Sequence, residues 1–353
     1  MLRLIDFCPT PRFIVWDITY ACALRCVHCY SESGRRPSRQ LNAADLYRVT
    51  DAMIAVHPKA IVLAGGEPLL VKELFSVAQR MVDAGVEVFL YTGGWGFVPA
   101  MLPSIMDVCA RVTVSIDGAT ADVHDRIRGR AGAFERAMGA LGQLDRAVGE
   151  LRRGGRRGPT LGVDFVVMQS NVHQLRDFCV DVVPRFAALS YVSFGAVIPT
   201  GLASRPSFAE QELLSEEQVS LLGDGRMAQE LQSLAPPSVT IHTTDNRMFQ
   251  LHPDLLAAGM DIPPMQVEPD GKVRAMPIYE GTVGSLLSES VSVLWERAME
   301  RWSDPFVVET LRPAITGKQW AEATRRIDHR FGSAQDTARI ARRPTYTRQQ
   351  RDG

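Results

Sequence analysis

Hydrophobic positions alternate between short apolar runs rich in branched and aromatic residues and longer stretches with apolar residues every three or four positions, the signatures of buried strands and amphipathic helices. Phe13 to Tyr20 is the first such run and reads as a buried strand. From Leu41 the pattern predicts a helix over 42–56, a strand over 60–63, a helix over 69–84 and a strand over 86–91. It continues with a helix over 99–109, a strand over 111–116, a long helix over 134–152, a strand over 160–168, a helix over 172–186 and a strand over 191–196. Strands separated by helices in this way predict an α/β fold built of parallel β/α units. Such folds bind their ligand at the C-terminal ends of the strands.

The remainder is patterned differently. Residues 1–12 are a short lead containing Cys8, with too little chain for a peptide-binding module in front of the first strand. Residues 201–237 read as a linker and a polar amphipathic helix. Between 238 and 320, Met265 to Glu268, the turn Pro269-Asp270-Gly271 and Lys272 to Ala275 predict a hairpin. Residues 321–353 read as a basic, flexible tail, since Glu322 to Gly353 holds eight arginines against four acidic residues.

Composition narrows the classes. With 353 residues, 46% hydrophobic and 22% charged, the chain matches an ordinary globular protein able to bury a full core. A net charge of −1 gives no reason to expect nucleic acid or an anionic membrane as partner. Arg3 and Asp6 interrupt the beginning and no apolar run approaches a membrane span, so a cytoplasmic protein is expected.

Three of the six cysteines, Cys22, Cys26 and Cys29, lie in one short loop directly after the first strand. Their thiolates suit a soft metal centre. A structural zinc takes four protein ligands, and His28 between two of the cysteines points away from their convergence, so zinc would need a remote fourth ligand. The alternative is an iron–sulfur cluster with one iron left open.

The second strand runs into Gly65-Gly66-Glu67-Pro68, where the glycines let the backbone approach a ligand and Glu67 offers a carboxylate to an ammonium; a plain strand-to-helix turn is the simpler reading. Thr92 and Gly93 follow the third strand. The fourth ends in Ser115-Ile116-Asp117-Gly118, in which Asp117 is either a ligand-binding carboxylate or an Asp-Gly turn residue. Tyr91, Trp95 and Phe97 can stack on a ring or pack the core. Cys109 and Cys179 read as core residues, and Asn171 as a helix cap.

The C-x3-C-x2-C loop, Gly-Gly-Glu-Pro, Ser-Ile-Asp-Gly and the later Arg128-Gly129-Arg130-Ala131-Gly132-Ala133-Phe134 come in the order found in the radical SAM superfamily. The chain resembles its SPASM or twitch-type, peptide- or cofactor-modifying subgroup. That resemblance implies a partial (β/α)6 TIM-type barrel over 13–200 with a small α+β C-terminal extension over 238–320. It implies one [4Fe-4S] cluster on Cys22, Cys26 and Cys29. S-adenosyl-L-methionine would be bound by Gly65, Gly66, Glu67, Pro68, Thr92, Ser115, Asp117, Arg128 and Tyr30, with Arg128 on the methionyl carboxylate or else a surface arginine.

The extension departs from the subgroup. Met276 stands about where relatives place a cysteine, and no cysteine follows Cys179, so auxiliary clusters are not expected and the extension is expected to serve as lid or substrate platform. The implied chemistry is reductive cleavage of S-adenosylmethionine to a 5′-deoxyadenosyl radical that abstracts hydrogen from a ribosomally made peptide. The alternatives are a small sugar, nucleoside or porphyrin-type intermediate, or a catalytically silent binding partner. A flavodoxin or ferredoxin as electron donor and a separate peptide-recognition protein are the further partners expected, and Cys8 is a candidate hydrogen donor.

Overall fold

A computed structural model describes residues 9–348; Cys8 and residues 349–353 lie outside the described part. Strands β1 (Phe13–Thr19), β2 (Ala60–Gly65), β3 (Glu87–Thr92), β4 (Arg111–Ser115), β5 (Thr160–Val167), β6 (Leu189–Ala196) and β7 (Thr240–Thr244) pair in parallel, each with the next in the chain. Ile14, Trp16 and Ile18 of β1 are fully buried, as are Val112 and Val114 of β4, because helices cover the sheet's outer face. Those helices include α1 (Ala43–Ile54), α2 (Leu74–Asp83), α3 (Leu102–Val108), α4 (Ala121–Arg128) and α5 (Ala133–Arg153). Asn42 caps α1 by accepting the Asp45 amide, and α4 stops at Gly129, whose φ of +65° is left-handed. The result is a mixed α/β, partial TIM-type barrel with an extension.

Three local expectations differ from the structure. The helix anticipated over 172–186 is broken into 3₁₀, α and π turns, since its β-branched residues crowd the turn and Pro184 cannot donate to it. The linker and single helix expected over 201–237 are three helices, α6 (Pro206–Glu212), α7 (Glu216–Gly223) and α8 (Arg226–Gln232), the second begun by a Ser215–Gln218 capping box. These helices lead to β7, a parallel strand beyond the six expected, which lies next to β6.

The hairpin forms as β8 (Met265–Val267) and β9 (Lys272–Arg274), with Gly271 at φ +79° accommodating the turn. β8 also pairs in parallel with β1, and β10 (Thr282–Ser285) pairs with β9, so the ten strands run β10-β9-β8-β1-β2-β3-β4-β5-β6-β7. The extension therefore continues the barrel wall. Met276 is buried in its core, and the ring centroids of Trp295 and Trp302 lie 5.5 Å apart there.

Helices α9 (Val291–Trp302), α10 (Pro305–Leu311), α11 (Gly317–Phe331) and α12 (Ala334–Ile340) complete the chain. As far as Arg348 the segment expected to be a flexible tail is docked. Arg339 pairs with Glu32 and Glu280, and Arg343 pairs with Glu32 at 2.7 Å. Composition could not reveal these partners, because both carboxylates are buried and distant in sequence. Among the described residues no helix is long and apolar enough to cross a membrane.

Candidate cofactor site at the strand ends

The cysteine loop leaves β1 at the C-terminal edge of the sheet and is held from two sides. Its amides at Arg25 and Val27 donate to the carbonyls of Arg128 and Ile127 at the end of α4, each at 2.9 Å. Guanidinium groups take every carbonyl from Cys22 to Val27. Arg25 donates to Cys22 and Leu24, Arg130 to Ala23, Arg35 to Arg25 and Cys26, and Arg205 to Val27. An irregular loop is thus fixed as firmly as a secondary-structure element.

All three thiols are partly buried. Burial, reinforced by the neighbouring sulfurs, pushes Cys22 up to about 12 and Cys26 up to about 11, so the three share one electrostatic space. The Cys29 sulfur lies 3.4 Å from the Ser31 hydroxyl, and Arg128 reaches to 3.8 Å from the Cys26 sulfur.

Gly65 and Gly66 serve a different approach from the one their residue type suggested. Gly65 has φ +117°, and a Cβ there would stand 2.5 Å from the Thr19 carbonyl oxygen; one on Gly66 would stand 2.2 Å from that of Ala21. The close contact is with the cysteine loop's own backbone, whose carbonyls at Thr19 and Ala21 accept the amides of Gly66 and Glu67 at 2.7 and 2.9 Å. Gly66→Ala is therefore expected to displace the loop, lowering stability by about 2 kcal/mol or more and cluster loading severalfold. Chemical denaturation and iron analysis check this, and a fully loaded, fully stable variant would refute it.

Glu67 is 1% exposed. Its carboxylate accepts the Thr92 hydroxyl at 2.7 Å and the amides of Gly93 and Leu69 at 3.0 and 3.3 Å. Burial nevertheless pushes its pKa up to about 7, and no lysine or arginine pairs with it among the described residues. Thr92 thus orients Glu67, and Pro68 opens the turn behind it. A side chain at Gly93 would crowd Leu24 of the cysteine loop, its Cβ falling 2.9 Å from Leu24 Cδ1.

Asp117 and Arg128 meet each other. Asp117 is fully buried, forms an ion pair with Arg128 Nε at 2.7 Å, accepts the Val166 amide at 2.9 Å and lies 3.8 Å from His28 Nε2. Burial raises its pKa, but Arg128, His28 and His124 outweigh that and hold it below the usual carboxylate range. Burial pushes His28 down to about 4, so the imidazole is neutral. Arg128 consequently bridges Asp117 to Cys26 and is no surface arginine.

Ser115 ends β4, half-buried and paired in register with Asp164 of β5. The Tyr30 hydroxyl donates to buried Asp17 at 2.6 Å. Trp95 is covered by Arg130, 3.9 Å from its ring centroid; Phe97, Cys109 and Cys179 are buried. Asp164 was missed by the sequence reading. Its pKa is raised to about 6 by burial and by the charge of Asp117. An ionisable residue inside the apolar run 160–168 was the available signal.

The donor set is three partly buried thiols, the soft ligands that an iron–sulfur cluster takes. Among the described residues no three His, Cys, Asp or Glu side chains converge to hold a single metal ion, this loop included. Cys22, Cys26 and Cys29, close enough for their charges to influence one another, would hold a [4Fe-4S] cluster through their thiolates.

A parallel sheet with helices outside, a three-cysteine loop at its C-terminal edge and a buried glutamate beside that loop are the arrangement that the resemblance to the radical SAM superfamily implies. Residues 16–149 match the model of the radical SAM superfamily. It is 37% identical over 130 residues to the AdoMet-dependent heme synthase of Methanosarcina barkeri, covering 36% of this chain and 37% of that one. It is 32% identical over 169 residues to the mycofactocin maturase MftC of Mycobacterium ulcerans, covering 48% and 43%. The chain thus spans less than half the length of these curated relatives. The crystal structure of Streptococcus suis SuiB bound to S-adenosylmethionine shares the fold, with a TM-score of 0.61 at 12% identity over 87% of this chain and 69% of that one. The cofactors of the superfamily are a [4Fe-4S] cluster and S-adenosylmethionine.

Proposed function

We propose that the chain is an enzyme that cleaves S-adenosylmethionine reductively and uses the resulting radical to modify a ribosomally made peptide. The observation that carries this reading is Glu67, a carboxylate sealed beside the cysteine loop with no cation paired to it among the described residues. A buried charge left without a partner is costly, and the amino group of a bound cofactor supplies one. When bound, the cluster provides the electron that splits the cofactor's carbon–sulfur bond.

The chain's own residues then have separate tasks. Cys22, Cys26 and Cys29 hold the cluster, and Gly65, Gly66 and Pro68 set Glu67 against the amino group. Thr92 fixes the Glu67 rotamer. Arg128 offers a guanidinium to the methionyl carboxylate while Asp117 anchors it, and Ser115 faces the ribose. Tyr30 closes the space behind the loop. A flavodoxin or ferredoxin is the proposed electron source, and a separate peptide-recognition protein the proposed escort.

A tetrapyrrole or other small cofactor intermediate is the second reading, supported by the similarity to the AdoMet-dependent heme synthase. Incubation with candidate precursor peptides and with porphyrin precursors, followed by mass spectrometry, separates the two.

Glu67→Gln is expected to weaken S-adenosylmethionine binding about tenfold or more, read by calorimetry on the reconstituted protein. It carries a second signature. A carboxyl whose folded pKa is raised to about 7 takes up a proton on folding at intermediate pH, so cofactor-free stability falls as pH rises from the unfolded value through about 7. The variant is expected to lose that part of the slope, up to ~3 kcal/mol. Unchanged affinity together with an unchanged slope would remove Glu67 from the site.

A further inference from the structure

Next to the cysteine loop lies an open cleft of about 1310 Å³, bounded by Val27, by the start of α4, by the turn Gly129 to Ala131 and by Pro344 to Thr347. The segment 344–348 is an extended arm laid along α6. The Tyr346 amide donates to Ser207 Oγ at 2.8 Å, its carbonyl accepts from Gln211, and the Arg348 amide donates to Gln211 at 2.9 Å. Tyr346 and Arg348 also bond Glu212, each at 2.7 Å.

Thr345 and Thr347 alternate with these inward residues. Both are exposed and line the cleft, and no hydrogen bond among the described residues uses their amides or carbonyls. A strand tied down on one side and unpaired on the other is a template for a second strand.

The lining of the cleft is net basic, with Arg35, Arg126, Arg130 and Arg205 against Asp122 and Asp125. Arg35, Arg130 and Arg205 donate to loop carbonyls and have no carboxylate within ion-pair distance among the described residues. The two acids facing them are engaged, Asp122 with Arg126 and Asp125 with the amides of Gly132 and Phe134. The one aromatic ring lining the cleft, Tyr346, packs on Phe208 with centroids 5.0 Å apart, which leaves no free stacking platform for nucleotide bases.

We propose that this cleft binds an extended, acidic segment of the peptide substrate as a strand paired with Thr345 and Thr347, passing beside Val27 of the cysteine loop. The proposal rests on the peptide reading given above. Pairing through backbone groups gives affinity with little demand on sequence, and the guanidinium groups select acidic side chains.

The test uses fluorescence anisotropy on the reconstituted full-length chain with a labelled peptide of alternating glutamate and valine. Its lysine–valine counterpart and two versions N-methylated at one or the other alternate set of amides serve as comparisons. The acidic peptide is expected to bind and to weaken with salt, and the lysine peptide to bind far less. Methylating one set, but not the other, should weaken binding about fivefold, the effect of a lost backbone hydrogen bond. Thr347→Pro should cause a similar loss and reduce the difference between the two methylated peptides.

Equal binding of the acidic and lysine peptides overturns the proposal, as does indifference to methylation of either set. S-adenosylmethionine cleavage assayed on the same preparation separates the two readings. Cleavage without acidic-peptide binding overturns the cleft alone, and peptide binding without cleavage overturns the activity alone.

Discussion

Replacing Cys22, Cys26 and Cys29 together by alanine is expected to abolish iron and sulfide binding after anaerobic reconstitution, against about four of each in the unaltered chain. Formation of 5′-deoxyadenosine should stop with it. The fold should survive, since the thiols contribute little to the hydrophobic core. The loop is held by arginine side chains on its carbonyls and by the end of α4 on its amides. A melting temperature within a few degrees of the parent, ~1 kcal/mol for a domain of this size, distinguishes loss of the cluster from loss of structure. Iron well above about four that persists in the variant would mean a second cluster on unexpected ligands, since no cysteine follows Cys179.

Asp117→Ala should have the largest effect on the fold itself. Its carboxylate is fully buried between Arg128, the Val166 amide and His28. Removing it leaves a guanidinium only 9% exposed with no carboxylate, a loss of about 3–5 kcal/mol when one partner of a buried pair is deleted. The urea midpoint should fall accordingly. Because Arg128 also reaches the Cys26 sulfur, cluster retention should fall in parallel. Replacing both residues, Asp117→Ala with Arg128→Met, should recover much of the stability without restoring cofactor binding. A single variant within about 1 kcal/mol of the parent would show that the pair does not hold the loop.

The strands were legible because their side chains are locally diagnostic. Phe13 to Tyr20 can bury residues on both faces as a strand, and Thr160 to Val167 likewise, except at exposed Thr160 and half-buried Asp164 and Val166. The helix over 172–186 was less so, because periodicity cannot reveal how Pro184 and the crowded valines divide the hydrogen bonding. β7 was absorbed into the extension because a short strand at 240–244 carries no signal of which neighbour it pairs with; that neighbour, β6, is more than forty residues earlier.

The site divides in the same way. Cysteine spacing marked the loop as a soft-metal site, and the succession of motifs at strand ends singled out a cluster and marked its surroundings, because parallel β/α units bring consecutive strand ends to one edge. The backbone contact of Gly65 and Gly66 with the cysteine loop, the pairing of Asp117 with Arg128 and the docking of the arginine-rich tail on Glu32 were decided only in three dimensions. Periodicity and spacing report what a residue does within its own strand, helix or loop. The charge that pairs with a buried arginine, and the carbonyl that excludes a Cβ, come from chain brought alongside by packing.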